Sequence, residues 1–159
     1  MKGNISPFVP SIAVALLCLG FQLSGARFAY MAGSGVWEHL LYGFCHANVF
    51  HLALNLMALF QFKPRVKTCI IGYAASVAAS FMPFASLPVP TLGLSGFVMA
   101  CYARRYHAFR LKPWRIVLAN VVLAFVPFYN WRIHLLSFFI AYIIYGIWNH
   151  TRPWHSRPK

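Results

Sequence analysis

The sequence predicts an all-α membrane protein with six transmembrane helices in one domain, residues 1–159. Of its residues 60% are hydrophobic and only 9% are charged, whereas about a quarter are charged in a soluble protein. The apolar residues also cluster into runs. Several runs are shorter than the roughly 20 residues that one span requires, so a compact bundle of tilted or shielded helices is expected. The six runs cover residues 8–23, 44–62, 68–82, 92–102, 116–128 and 133–148.

Basic residues predict the orientation of the six spans. Lys and Arg number 14 against one acidic residue, Glu38, which gives a formal charge of +13. If the N-terminus is cytoplasmic, every basic residue except Arg27 and Arg132 falls on the cytoplasmic side, as the positive-inside rule expects. We therefore predict cytoplasmic termini in a bacterial inner membrane, and the charge needs no nucleic-acid partner. An organelle membrane is an alternative.

The first apolar run has a second interpretation. Lys2, the run itself and the small residues Ser24, Gly25 and Ala26 also fit a cleavable signal peptide. A retained span is the simpler interpretation, because cleavage would leave five spans and change the distribution of basic loops.

Two connecting segments have their own features. Residues 27–43 form the longest segment between spans, and their Gly and aromatic content, including Trp37, predicts an outer loop lying partly in the membrane interface. Pro88 and Pro90 exclude a regular helix over residues 87–92. The four cysteines contain no C-x-x-C pair, so we interpret them as small buried apolar residues rather than zinc or redox ligands.

Three polar residues are predicted to reach similar depths in the membrane. Counting about 1.5 Å per residue from the cytoplasmic end of each span places Ser95, His51 and His134 roughly 14, 18 and 21 Å deep. The loop before Ser95 must then dip into the bilayer, which requires protein or a water-filled cavity around its backbone. Ionisable groups at such depth are candidates for function.

The available side chains favour serine chemistry. A serine hydroxyl becomes a nucleophile when a base such as histidine takes its proton. Glu38 is the only carboxylate, so the site is either a Ser95–His134 dyad or a triad completed by Glu38, and the dyad is preferred. The same scarcity argues against an aspartyl protease and against a zinc protease with a glutamate base.

The nucleophile stands in the segment Gly93-Leu94-Ser95-Gly96, where an irregular loop enters a helix. Backbone N–H groups in the first helical turn have no partner within the helix, so those of Leu94 and Ser95 are candidates for an oxyanion hole. Gly93 and Gly96 would line the cavity. Taken alone, the motif also fits close packing between membrane helices.

Histidine and asparagine on the second span supply further candidates. His51 and Asn55 are four residues apart, hence on one helical face, and both can donate hydrogen bonds to an oxyanion. His46 is expected to line the same entrance. Alternatively these side chains only join helices by hydrogen bonds. A metal site with His39 is disfavoured because the spacings share no helical face, and no cofactor is expected.

The sixth run begins with the candidate base. His134 is followed by Ser137 and Ala141, small residues that permit a close helix contact through which His134 could meet Ser95. The alternative is a histidine at the membrane interface beside Trp131 and Arg132.

Three elements together, His46-x4-His51-x3-Asn55, Gly93-x-Ser95-Gly96, and His134 opening the sixth span, resemble the rhomboid family of intramembrane serine proteases. The resemblance covers nearly the whole chain, with the elements in the same order. It implies a rhomboid-like bundle with Ser95 as nucleophile and His134 as base. It also implies that His51, Asn55 and backbone N–H groups form the oxyanion hole.

Three departures from the family involve four positions. Glu38 stands where the family has the Arg of a Trp-Arg pair in the first outer loop. Met99 lines the site where many members carry an aromatic residue packed on the histidine. Ser137 and Ala141 replace common glycines. None of these changes removes a catalytic group.

The resemblance implies an endopeptidase that cleaves transmembrane-helix substrates within the bilayer. One alternative is a catalytically inactive rhomboid-like protein that binds transmembrane helices, although such proteins usually lack the serine or the histidine. The other is a small transporter or channel subunit, for which the near absence of carboxylates leaves no evident ion relay. Substrate identity and oligomeric state do not follow from the sequence.

Overall fold

The computed structural model describes residues 6, 8–125 and 129–150, and over these residues the all-α prediction is confirmed. They form seven α-helices and no strand, apart from one isolated β-bridge between Tyr30 and Thr91. Two short 3₁₀ turns, Tyr42–Phe44 and Pro83–Ala85, join helices. The helices are α1 (Phe8–Ser24), α2 (Val36–Leu41), α3 (Val49–Phe62), α4 (Val66–Ser80), α5 (Ser95–Ala108), α6 (Trp114–Leu123) and α7 (Trp131–His150).

The six predicted spans have only partial support from helix length. Within the described residues one helix, α7, is long and apolar enough to cross a membrane, over Trp131–Asn149 with a mean hydropathy of 1.3. The segments Val36–Phe44 and Val49–Phe62 would qualify together, but they are bent by 75°. Helices α1, α4 and α6 are apolar but shorter. The six-span topology therefore stays a prediction.

Some predictions concern residues outside the described part of the chain. Residues 126–128, the end of the fifth predicted span, belong to these, as do four of the predicted cytoplasmic basic residues. Those four are Lys2, Arg152, Arg157 and Lys159.

The helix that carries Ser95 differs from the predicted span. Residues 92–94 were predicted to belong to the span but form a loop before α5, because Gly93, with φ +115°, is not in a helical conformation. At its other end α5 continues through Arg104 and Arg105 to Ala108. The irregular segment at residues 87–92 is confirmed as non-helical.

Helix α5 lies at the centre of the bundle, packed against α7 and α4. Small residues make this close packing possible: Ala100 and Ala103 of α5, Ala75 of α4 and Ala141 of α7 are all fully buried. The predicted close contact at Ser137 and Ala141 is confirmed, since both are fully buried. Helix α1 also reaches the core, where Cys18 packs with Leu52, Leu94 and Phe97.

Candidate active site

The loop before Ser95 is held by backbone hydrogen bonds to the first outer segment. Tyr30 and Thr91 exchange two bonds, of 3.0 and 2.9 Å. The Gly93 N–H donates to the Tyr42 carbonyl at 2.9 Å. These bonds fix the direction from which the chain enters α5, with Ser95 as its first residue.

Gly93 is required by both its conformation and its surroundings. Its φ of +115° is rarely adopted by residues with a side chain. In addition, a methyl group at this position would lie 2.5 Å from Cε1 of His51 and 2.8 Å from its Nε2. The imidazole of His51 therefore lies directly against the backbone that leads into Ser95.

The start of α7 is joined to the same loop by one buried asparagine. Asn130 accepts a hydrogen bond from the Ile133 N–H at 3.2 Å, which caps the helix. Its amide donates to Thr91 Oγ1 at 2.8 Å and to the Ala85 carbonyl at 2.9 Å. The helix that carries His134 and the loop that leads into Ser95 are thus tied together.

Ser95 and His134 meet in this arrangement. The Ser95 Oγ and the His134 Nε2 are 2.6 Å apart, within hydrogen-bond distance. In the tautomer with the proton on Nδ1, the Ser95 hydroxyl donates a hydrogen bond to His134 Nε2, the arrangement that a general base requires. His134 is only 4% exposed, whereas Ser95 is partly exposed.

A carboxylate does not complete this pair. The buried Nδ1 of His134 has no hydrogen-bond partner among the described residues. Glu38 lies elsewhere, at the start of α2, where a methyl group on Gly35 would be 3.0 Å from its Oε2. The geometry is that of a Ser–His pair, and Glu38 does not complete a triad with it.

In a second serine–histidine pair, the histidine is not placed to take the proton of the serine. His39 Nδ1 lies 3.1 Å from Ser80 Oγ, but the Ser80 hydroxyl also lies 2.7 Å from the Val77 carbonyl of its own helix. Since a carbonyl only accepts, the Ser80 hydroxyl donates its hydrogen bond to the Val77 carbonyl. His39 Nδ1 must then donate to Ser80 Oγ. This pair is structural, and it places His39 apart from His46 and His51.

The predicted oxyanion donors are only partly free. The Leu94 N–H donates to Nε2 of the buried His46 at 3.3 Å, which corrects the expectation of an open donor there. The Asn55 amide donates to the His51 carbonyl at 3.0 Å, which satisfies one of its two N–H groups within α3. The Ser95 N–H lies before the first helical bond of α5, from Val98 N–H to the Leu94 carbonyl, and so has no partner within the helix.

The structure gives the contacts of the remaining predicted cavity residues. Gly96 is buried against α4, since a methyl group there would lie 2.9 Å from Ser76 Oγ. Met99 is half-buried and packs in the core cluster between α5 and α7. His46 makes an edge-to-face contact with His51, with ring centroids 5.1 Å apart.

Two neighbours of the Ser95–His134 pair were not anticipated from the sequence. Tyr129 packs its ring on His134, with centroids 4.3 Å apart at an angle of 60°, and Asn130 makes the contacts described above. An asparagine just before an apolar run is a helix-start signal, so Asn130 could have been recognised. No comparable signal identifies Tyr129.

Comparison with known proteins adds no family to this description. No protein-family model matches the chain, and no curated protein sequence matches it significantly. The geometry of Ser95, His134 and their neighbours is therefore the basis for a function.

Proposed function

We propose that this chain is an intramembrane serine endopeptidase that cleaves transmembrane-helix substrates with a Ser95–His134 dyad. The observation that carries the proposal is the 2.6 Å separation of Ser95 Oγ and His134 Nε2. These residues are 39 positions apart and lie on two different helices. The resemblance of the sequence motifs to rhomboid proteases supports the same assignment.

The distribution of polar and apolar side chains supports a membrane location. Large apolar residues point outward on several helices, including Leu16, Phe50, Leu54 and Ile143, which are 59–84% exposed. The interior is mainly apolar as well, but it also holds several polar groups. A soluble protein rarely exposes such extensive apolar surface, but lipid would cover it. The buried polar residues include Ser11, His46, Asn55, Thr68, Ser76, Asn120, Asn130 and Ser137.

The dimensions of α7 fit the same location. Its candidate span of 19 residues corresponds to about 28 Å at 1.5 Å per residue, close to the roughly 30 Å of hydrocarbon in a bilayer. The proposed topology has six spans with both termini cytoplasmic in a bacterial inner membrane.

The proposed reaction is acyl transfer to serine followed by hydrolysis. Ser95 Oγ attacks the scissile carbonyl carbon while His134 Nε2 takes the hydroxyl proton. His134 then gives this proton to the leaving amine as the C–N bond breaks, which leaves an acyl-enzyme. Water, deprotonated by His134, attacks the ester and releases the acid product and free Ser95.

The oxyanion would be stabilised by groups next to Ser95. The Ser95 N–H, the His51 ring and the second N–H of Asn55 are the proposed donors. The Leu94 N–H becomes available to the oxyanion only if its hydrogen bond to His46 breaks.

The occupied N–H of Leu94 favours a second candidate function, that of a rhomboid-like protein that binds transmembrane helices without cleaving them. Because Leu94 N–H already donates to His46, one predicted donor is missing in this conformation. Retention of both Ser95 and His134 favours the protease.

Labelling with a fluorophosphonate tests the proposal, because the probe reacts only with an activated serine. We expect the purified protein in detergent to be labelled, and labelling to disappear in Ser95→Ala and His134→Ala. Ser80→Ala and His39→Ala are matched controls from the structural pair and should leave labelling unchanged. Cleavage of a reconstituted transmembrane substrate is then compared in the same variants.

The outcomes separate the two candidates. Label that persists in folded Ser95→Ala protein would contradict the dyad. A folded wild-type protein that binds a transmembrane helix but neither reacts with the probe nor cleaves would establish the non-catalytic candidate.

A further inference from the structure

His134 lacks the group that usually orients a catalytic histidine. In a serine triad a carboxylate holds the other ring nitrogen and fixes the direction of the imidazole. Here Nδ1 of His134 is buried and has no such partner in the described part of the chain. Packing must supply the orientation instead.

Tyr129 is the residue in position to do this. Its ring meets the His134 ring with centroids 4.3 Å apart and an angle of 60° between planes, an edge-to-face geometry that stabilises aromatic pairs. Met99, one helical turn after Ser95, offers no aromatic ring to the site. The aromatic contact comes from the segment before α7.

The Tyr129 ring is itself fixed, by a hydrogen bond to α6. Its hydroxyl donates to Oδ1 of Asn120 at 3.2 Å. The Asn120 side chain is 1% exposed, and its amide donates to the Ile116 carbonyl at 2.9 Å, so Oδ1 is directed to Tyr129. Burial raises the pKa of Tyr129 to about 12, so the hydroxyl keeps its proton and remains a donor at neutral pH.

Helix α6 has few other attachments. It packs chiefly against α7, and its buried residues are Ile116 and Asn120. Leu118, Val121 and Val122 on the same helix are more than half exposed. The Asn120–Tyr129 bond is therefore a direct connection between α6 and the candidate base.

We propose that Asn120 and Tyr129 are positioning residues that aim His134 at Ser95, so that the placement of α6 sets the reactivity of the serine. The inference rests on the proposed function, because it concerns the same dyad. Both residues would act through His134, which Tyr129 contacts directly.

A double-mutant cycle on the hydrogen bond tests the proposal. Tyr129→Phe removes the donor and keeps the ring, and Asn120→Leu removes the acceptor at similar volume. Each should lower the maximum rate of fluorophosphonate labelling by about fivefold, the equivalent of one ordinary hydrogen bond. The double variant should be no slower than either single variant, since both remove the same bond. The probe concentration giving half the maximum rate should not change.

Tyr129→Leu tests the ring itself. It should lower the maximum labelling rate by roughly tenfold or more, because the aromatic contact is lost together with the hydrogen bond. Tyr73→Phe is the matched control: it removes a tyrosine hydrogen bond of 3.1 Å, to the Leu40 carbonyl, away from the dyad. Its labelling rate should equal that of the wild type. If Asn120→Leu does not fold, the labelling rates of the two Tyr129 variants still test the positioning role.

The results distinguish this inference from the function on which it rests. Wild-type labelling rates in folded Tyr129→Leu, or fully additive losses in the cycle, would overturn the positioning role and leave the dyad intact. Absence of labelling in folded wild-type protein would overturn both.

Discussion

The side-chain amide of Asn130 donates to Thr91 Oγ1 at 2.8 Å, and this contact joins the start of α7 to the loop that leads into Ser95. The same side chain caps α7 through the Ile133 N–H. One buried residue therefore helps to set the distance between nucleophile and base, although it touches neither.

Replacement of Asn130 should weaken both the fold and the site. Asn130→Ser keeps a capping oxygen but cannot reach Thr91 and Ala85, so we expect a loss of about 1–3 kcal/mol in the free energy of unfolding. Asn130→Ala also loses the cap, which costs about 1 kcal/mol more. Unfolding in detergent measures both, and fluorophosphonate labelling should slow in both. Equal stability of the wild type and Asn130→Ala would show that these bonds contribute little.

A methyl group at Gly93 should disturb the site far more than one at another glycine of positive φ. Gly25 has φ +72° with nothing within 4 Å of an added methyl group, whereas at Gly93 that group would lie 2.5 Å from His51. Gly25→Ala should cost about 1 kcal/mol, from backbone conformation alone. Gly93→Ala should cost more, because His51 must move, and should lower the labelling rate. Similar losses in both variants would contradict the close contact with His51.

Gly96→Ala should be rescued by a second substitution. The added methyl group would lie 2.9 Å from Ser76 Oγ and 3.2 Å from both Ser137 Oγ and Tyr42 Oη. We expect Gly96→Ala to cost about 1–3 kcal/mol by overpacking. Ser76→Ala removes the nearest atom, and Tyr42 can still donate to the Ser76 carbonyl. Gly96→Ala should therefore cost less in the Ser76→Ala background, a difference that thermal unfolding of the four proteins measures. Additive costs would count against this contact.

The sequence predicted the pairing of Ser95 with His134 because few polar residues lie in the apolar runs, and chemistry limits which can act together. It did not predict which backbone N–H groups of the loop already donate a hydrogen bond. The Leu94 N–H bond to His46 depends on how residues 92–94 turn, and no periodicity describes such a turn. Tyr129 and Asn120 were missed for a related reason. Their contact requires the relative placement of α6 and α7, which side-chain patterns within one helix do not specify.

The short helices show the same limit in another way. Apolar runs indicated where helices form, but the bend of 75° between the segments Val36–Phe44 and Val49–Phe62 is not encoded by hydrophobicity. It arises at residues 45–48, where Asn48 adopts an extended conformation and caps α3 by accepting from the His51 N–H. That cap also sets the start of the helix that places His51 against Gly93.

A charged residue on the outward face of α7 should separate a membrane location from an aqueous one. Ile143 of α7 and Val36 of α2 are both 59% exposed, so either lysine substitution would be tolerated in water. In a bilayer, a lysine near the middle of a span costs about 2.5–3.5 kcal/mol, and one in an outer loop costs far less. Ile143→Lys should therefore lower the yield of folded protein in membranes, whereas Val36→Lys should not. The measurement is the amount of folded protein extracted from membranes for each variant relative to wild type. If both lysine variants accumulate equally, the outward face of α7 does not contact lipid, and the six-span proposal fails at the helix best suited to it.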